Sequence, residues 1–89
     1  MDIKSWKIML AVDDYGSFTR VGAELGYTQS GITQMMKNLE KKVGFPLYIK
    51  DHHGITLTNE AKSLIPAIRT LLNADEVIPQ EIAALNGAQ

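Results

Sequence analysis

The sequence predicts a mainly helical domain in which three helices, the last two short and close together, precede a small β-hairpin and a long final helix. Three observations predict it. Apolar residues recur at three- and four-residue spacing in four separate segments. The second and third of these are joined by only Gly26-Tyr27-Thr28, a three-residue turn containing glycine, which is a helix-turn-helix signal. Between the third and fourth, two runs of β-forming residues flank a turn-prone tetrapeptide. A hairpin in that place is a wing, so the class is a winged helix-turn-helix: a three-helix core, a two-stranded wing and a long C-terminal helix.

Each element has its own signals. Asp2 can cap a first helix whose residues Ile3, Trp6, Met9 and Leu10, with Val12 alongside, keep helical spacing until Tyr15-Gly16 stops it. Ser17 offers a second N-cap, and Phe18, Val21, Gly22 and Leu25 form one stripe that Gly26 ends. Thr28 can cap a third helix with Ile32, Met35, Met36, Leu39 and Val43 on one face, closed by Gly44 with Pro46 just beyond. Leu47-Tyr48-Ile49-Lys50 and Ile55-Thr56-Leu57 read as strands around the loop Asp51-His52-His53-Gly54. Thr58 then caps the last helix, where Leu64, Ile68, Leu71, Asp75, Ile78, Ile82 and Leu85 alternate steps of four and three and Asn86-Gly87 supplies the end. Pro66 and Pro79 inside it predict a bent or interrupted helix. The candidate division is therefore residues 1–57 as the winged unit and 58–89 as a linker or dimerisation helix.

Composition bounds the function. A chain of 89 residues holds one small core and leaves little room for a two-lobed active site. It has no cysteine, which excludes disulfides and thiolate metal ligands. Hydrophobic residues at 45% and charged residues at 21% are ordinary globular composition. The longest apolar run, Ile8 to Val12, is too short to span a membrane, and no basic-then-apolar leader is present, so the expected location is cytoplasmic. Net charge is −1, but residues 1–57 sum to +1 and residues 58–89 to −2.

The third helix carries the functional signal. Opposite its apolar stripe lie Ser30, Thr33, Gln34, Lys37 and Lys41, a face polar from end to end, with Gln29 beside it. Hydroxyls and amides can hydrogen-bond base edges in a major groove, and lysines can neutralise phosphates. Any amphipathic surface helix has a polar face, so periodicity alone favours the bland reading. Context weighs the other way. The turn Thr28-Gln29-Ser30-Gly31 sits where a helix-turn-helix meets base edges, and it holds no acid to repel phosphates.

These residues resemble the N-terminal winged helix-turn-helix domain of LysR-type transcriptional regulators over nearly the whole chain. The resemblance is carried by Gly16-Ser17-Phe18-Thr19, Leu25-Gly26, Thr28-Gln29-Ser30-Gly31-Ile32-Thr33, Leu39-Glu40, Gly44, Leu47-Tyr48 and Leu57-Thr58. It implies a bacterial regulator whose third helix, about residues 29–43, enters the major groove, whose wing touches backbone or minor groove, and whose last helix pairs with its mate. On that reading Gln29, Ser30, Thr33 and Gln34 contact bases, and Ser17, Thr28, Lys37, Lys50 and His53 hold the backbone. A homodimer would close through Leu64, Ile68, Leu71, Ile78, Ile82 and Leu85, and two-fold symmetry would call for a pseudo-palindromic operator.

The chain departs from the family at several places. Val21-Gly22 stands where the family commonly has Ala-Ala, and Gly22 weakens its helix by about 1 kcal/mol relative to alanine while permitting closer packing. Ser30-Gly31 stands where Ser or Pro followed by Ala is usual, and Thr33 where Ser is. Lys50 and His53 occupy the places of two wing arginines, and neither is bidentate. The last helix starts Leu57-Thr58-Asn59-Glu60-Ala61 instead of Leu-Thr-x-Ala-Gly. Family members usually continue into a periplasmic-binding-protein-like effector domain, which 89 residues are too few to contain, so the resemblance implies either a chain cut after the linker helix or a regulator without that sensor.

No other chemistry competes. His52-His53 with Asp51 makes a poor metal site, and neither metal nor cofactor is expected. No GxSxG, phosphate-cradling glycine loop or HExxH occurs, so no enzyme activity is expected. The four methionines and Trp6 read as core filler. Two rivals remain: a ModE-like winged-helix regulator domain, which the Thr28 to Thr33 segment disfavours, and a winged protein-interaction module that does not touch DNA. Operator, effector, regulated genes and the sign of regulation have no signature in these residues.

Overall fold

The computed structural model describes residues 2–87 and contains α1 (Ile3–Tyr15), α2 (Phe18–Leu25), α3 (Gln29–Val43), β1 (Tyr48–Asp51), β2 (Gly54–Leu57) and α4 (Asn59–Leu85) in that order. All four helices start on the cap that the sequence offers. Asp2 accepts from the Ser5 N–H at 2.9 Å, Ser17 from Arg20 at 3.2 Å, Thr28 from Gly31 at 3.0 Å and Thr58 from Ala61 at 3.1 Å. Each such bond satisfies one of the donors that a helix start leaves unpaired. The Ser5 N–H and hydroxyl both donate to Asp2, and together they hold its carboxyl below the ordinary value of 3.8.

One core joins every element. α1 contributes Ile8, Met9 and Val12, α2 Phe18 and Val21, and α3 Ile32, Met36 and Leu39. Leu47, Ile55 and Leu57 come from the hairpin region, and Ala61 and Ile68 from α4. The methionine reading holds for Met9 and Met36, with Met35 partly buried against the same core; Met1 lies outside the described residues. Two expectations need correction. Leu25 keeps the helical period of α2 but, as the last residue of that helix, is 44% exposed. Ile8, off the predicted stripe of α1, is 2% exposed, since α1 is covered on more than one side.

Gly22 does more than line a stripe. A Cβ placed there would lie 2.6 Å from the Tyr27 carbonyl oxygen and 3.3 Å from the Thr28 carbonyl carbon. The turn backbone packs directly on α2, and both the Gly26 and Tyr27 N–H groups donate to the Gly22 carbonyl, at 2.9 and 2.8 Å. That contact sets where α3 begins.

The wing is an antiparallel pair with Tyr48 opposite Leu57, Ile49 opposite Thr56, Lys50 opposite Ile55 and Asp51 opposite Gly54. Its loop is therefore His52-His53 alone, two residues shorter than the predicted tetrapeptide, because Asp51 and Gly54 extend the ladder. Gly54 takes φ +115°, and a Cβ there would meet the Gly16 carbonyl oxygen at 2.7 Å. The same carbonyl accepts from the Ile55 N–H at 2.9 Å, which pins the wing to the α1–α2 turn. At its base, the Thr58 N–H donates to Leu47 at 3.0 Å and its hydroxyl to Pro46 at 2.9 Å. Glu40 closes the remaining gap by accepting from the Leu47 N–H at 2.8 Å.

α4 runs 27 residues without interruption through both prolines, about 40 Å of helix. The predicted break does not occur. Each proline withholds one N–H from the carbonyl four residues earlier, and those carbonyls belong to Lys62 and Asp75, both exposed residues on the solvated side of the helix. Only Ala61 and Ile68 of α4 are buried, and beyond Leu72 every described residue is exposed. The radius of gyration of 15.1 Å exceeds the roughly 12 Å of a compact chain of this length, because the second half of α4 projects from the body.

Candidate nucleic-acid interface

α3 presents its polar face to solvent because its opposite face, Ile32, Met36 and Leu39, is fixed in the core. Thr28, Gln29, Ser30, Gln34 and Lys37 are exposed and Thr33 is half-buried. No acid stands in the first turn of α2 or of α3. Glu40, the acid within α3, turns its carboxylate to the Leu47 N–H, away from the polar face. Lys41 and Lys42 lie in the last turn of α3, where they also favour the negative end of the helix dipole.

The anchoring of the wing through Gly16 brings three predicted residues to one place. Ser17, Gln29 and Lys50 line a cleft of about 140 Å³ between the starts of α2 and α3 and the wing. Phe18 and Gly54 line it too, and Phe18 stands edge-on to Tyr48 with ring centroids 4.9 Å apart, joining α2 to β1. Thr19 shares this cleft and was absent from the predicted set; its signal is a second hydroxyl two residues after the Ser17 cap. Lys37 reaches the wing from α3, with Nζ 5.9 Å from the Tyr48 ring centroid. His53 lies apart at the wing tip, its ring 4.0 Å from that of His52 and its N–H donated to Asp51 Oδ1 at 2.8 Å.

Several of these polar groups already have partners, which limits what each can offer. The Thr33 hydroxyl donates to the Gln29 carbonyl at 3.1 Å, so toward a ligand it presents a methyl group and an acceptor. Thr28 Oγ1 serves the α3 cap and lies 3.4 Å from Ser30 Oγ. Gln34 Nε2 donates to Asn38 Oδ1 at 2.8 Å, one turn further along the same face. Asn38 also lay outside the predicted set, although an amide four residues after another is a legible pair. Near the turn, Lys4 packs its ammonium 4.9 Å from the Tyr27 ring centroid, and the Tyr27 side chain raises its pKa above the ordinary 10.5.

The predicted dimer stripe divides in two. Ile68 is 4% exposed in its own core and Leu64 is half-buried against it, so neither is free to leave. Leu71, Ile78, Ile82 and Leu85 are 41%, 64%, 53% and 86% exposed, and Val77 joins them at 47%. Trp6, Leu64, Ala67, Ile68 and Leu71 line an apolar groove of about 150 Å³ between α1 and α4. No described helix is long and apolar enough to cross a membrane.

Comparison with known proteins places this geometry. Residues 3–62 match the family model for bacterial regulatory helix-turn-helix proteins of the lysR family. The chain is 32% identical over 78 residues to the HTH-type transcriptional regulator CzcR of Bacillus anthracis, an overlap of 86% of this chain and 27% of the relative. It is 31% identical over 85 residues to the HTH-type transcriptional activator CmpR of Synechocystis, covering 96% of this chain and 28% of the relative. It thus spans little more than a quarter of the curated relatives it matches. Among solved structures, the CbnR DBD in a DNA complex superposes with a TM-score of 0.86 at 26% identity, over 97% of this chain and 99% of that one.

Proposed function

The chain belongs to the LysR family of bacterial regulatory helix-turn-helix proteins, and on that premise we propose that it binds double-stranded DNA sequence-specifically as the DNA-binding part of a transcription regulator. The observation that carries this reading is the acid-free polar face of α3 flanked by the cleft that Ser17, Gln29 and Lys50 share with the wing. α3 enters the major groove, where Gln29, Ser30, Thr33 and Gln34 meet base edges. Ser17, Thr28, Lys37, Lys50 and His53 contact the backbone of the flanking phosphates. That a similar domain has been solved in a DNA complex supports DNA as the ligand. The ModE-like alternative falls with the family assignment.

Two copies pair through the projecting half of α4. Its exposed Leu71, Ile78, Ile82 and Leu85 form one stripe at heptad spacing, and the groove beside Trp6 continues it. Residues 1–57 then act as the reading unit and 58–89 as linker, although the first turns of α4 share the core of that unit. The protein works in the bacterial cytoplasm, with DNA and its own second copy as partners and without catalysis. The test is a pair of variants on a duplex recovered by selection from random sequence. Gln29→Ala should cost about 1–3 kcal/mol and relax one base position, whereas Lys37→Ala should weaken all duplexes alike and flatten the salt dependence. Equal effects of Gln29→Ala on selected and random DNA would remove its base-reading role.

A further inference from the structure

Ser30, Gln34 and Asn38 step by four along the exposed face of α3, and the last two are joined: Gln34 Nε2 donates to Asn38 Oδ1 at 2.8 Å. Asn38 stands eight residues beyond Ser30, about 12 Å along the axis, and so lies toward the rim of a groove that the start of α3 enters. Gln34 lies between the two. A free glutamine amide has two N–H donors and one carbonyl acceptor and can turn either edge toward a base. The bond to Asn38 occupies one donor and favours one setting of the amide plane. With the hydrogen trans to Oε1 given to Asn38, what remains is one N–H beside the Oε1 acceptor.

We infer that Asn38 is a positioning residue that restricts Gln34 to adenine. In the major groove adenine offers an N7 acceptor beside an N6 donor, the complement of what Gln34 has left. Guanine offers N7 and O6, two acceptors and no donor, and would leave Gln34 Oε1 facing an oxygen. The inference rests on α3 as the base-reading helix and adds the base that Gln34 selects and the residue that enforces the choice.

The test is selection from a randomised duplex library with the wild-type chain, Asn38→Ala, Asn38→Asp and Gln34→Ala. Asn38 is exposed and alanine is the better helix former, so the first variant keeps the fold, which a circular-dichroism melt verifies. The wild type should enrich adenine at one position per half-site. Asn38→Ala should lower the adenine-to-guanine ratio there by about twofold, the weight of one exposed amide pair a helical turn apart, while leaving other positions unchanged. Asn38→Asp keeps the acceptor, so adenine preference should survive even as the new carboxylate weakens binding to every duplex. Gln34→Ala should erase the same position. Unchanged ratios in Asn38→Ala, an equal loss at all positions, or loss of adenine in Asn38→Asp would each overturn the positioning role. An unchanged preference in Gln34→Ala would overturn it while leaving DNA reading by the rest of α3 intact, and no enrichment by the wild type would remove the base-reading helix itself.

Discussion

Replacing Gly22 by alanine sets two physical effects against each other, and the structure says which prevails. In the middle of a helix the substitution gains about 1 kcal/mol from intrinsic propensity. Against this, the new Cβ would lie 2.6 Å from the Tyr27 carbonyl oxygen, where ordinary contact begins near 3.4 Å, so the turn must retreat by about 0.8 Å. The obstacle is backbone, itself held by the Gly26 and Tyr27 N–H bonds to the Gly22 carbonyl, and no side chain can swing aside. Overpacking of this kind costs about 1–3 kcal/mol, which leaves a net loss near 1 kcal/mol. In a domain of this size that lowers the melting temperature by about 4–8 °C. Thermal unfolding followed at 222 nm reads it directly. A melting temperature equal to or above that of the wild type would refute the close approach at Gly22 and leave propensity as the governing term. Because the turn carries the start of α3, the affinity for selected DNA should fall by more than the stability loss alone explains.

Three further outcomes follow from the structure. Thr58→Val removes a buried hydroxyl that both donates to the Pro46 carbonyl and caps α4, and should cost about 1–3 kcal/mol in a urea titration; a loss under 0.5 kcal/mol would discount both bonds. Asp2 has a folded pKa held below 3.8 by Ser5, so its contribution to α1 is present above that value and is lost as pH falls through the lower folded value. The Asp2 carboxyl resonance should therefore titrate at lower pH in the folded chain than in a short unstructured peptide, and equal midpoints would discount the cap. Ile78→Asp combined with Ile82→Asp should shift the mass seen by light scattering from dimer to monomer without lowering helicity of the core, because both side chains are more than half exposed; an unchanged dimer mass would move the interface elsewhere.

What could be read from the chain and what could not divide along physical lines. Caps and stops are local, so Asp2, Ser17, Thr28 and Thr58 at the starts and Gly16, Gly26 and Gly44 at the ends are legible from a few neighbours. Burial is not local. Leu25 fits the period of α2 yet faces solvent, and Ile8 misses the period of α1 yet is enclosed, because both depend on which elements arrive from elsewhere. Prolines signal a broken hydrogen bond, but the break in α4 is avoided where the orphaned carbonyls of Lys62 and Asp75 belong to exposed residues. Glu40 shows the same limit at the candidate site. By sequence it is an acid among lysines, and only folding shows its carboxylate spent on the Leu47 N–H seven residues away. The polar face of α3 follows from helical period alone, whereas the meeting of Ser17, Gln29 and Lys50 needs the wing to be tied to Gly16.

Whether this face, in a dimer, reads DNA can be seen by fluorescence anisotropy. A labelled duplex enriched from a random library and a scrambled duplex of the same composition would be titrated with the wild-type chain at several salt concentrations. Binding should be tighter to the enriched duplex, with log affinity falling against log salt at a slope of about −3.6 or steeper if Lys37 and Lys50 of two protomers each neutralise a phosphate. A folded, dimeric protein that binds neither duplex even at low salt would contradict it and leave the winged domain as a protein-interaction module.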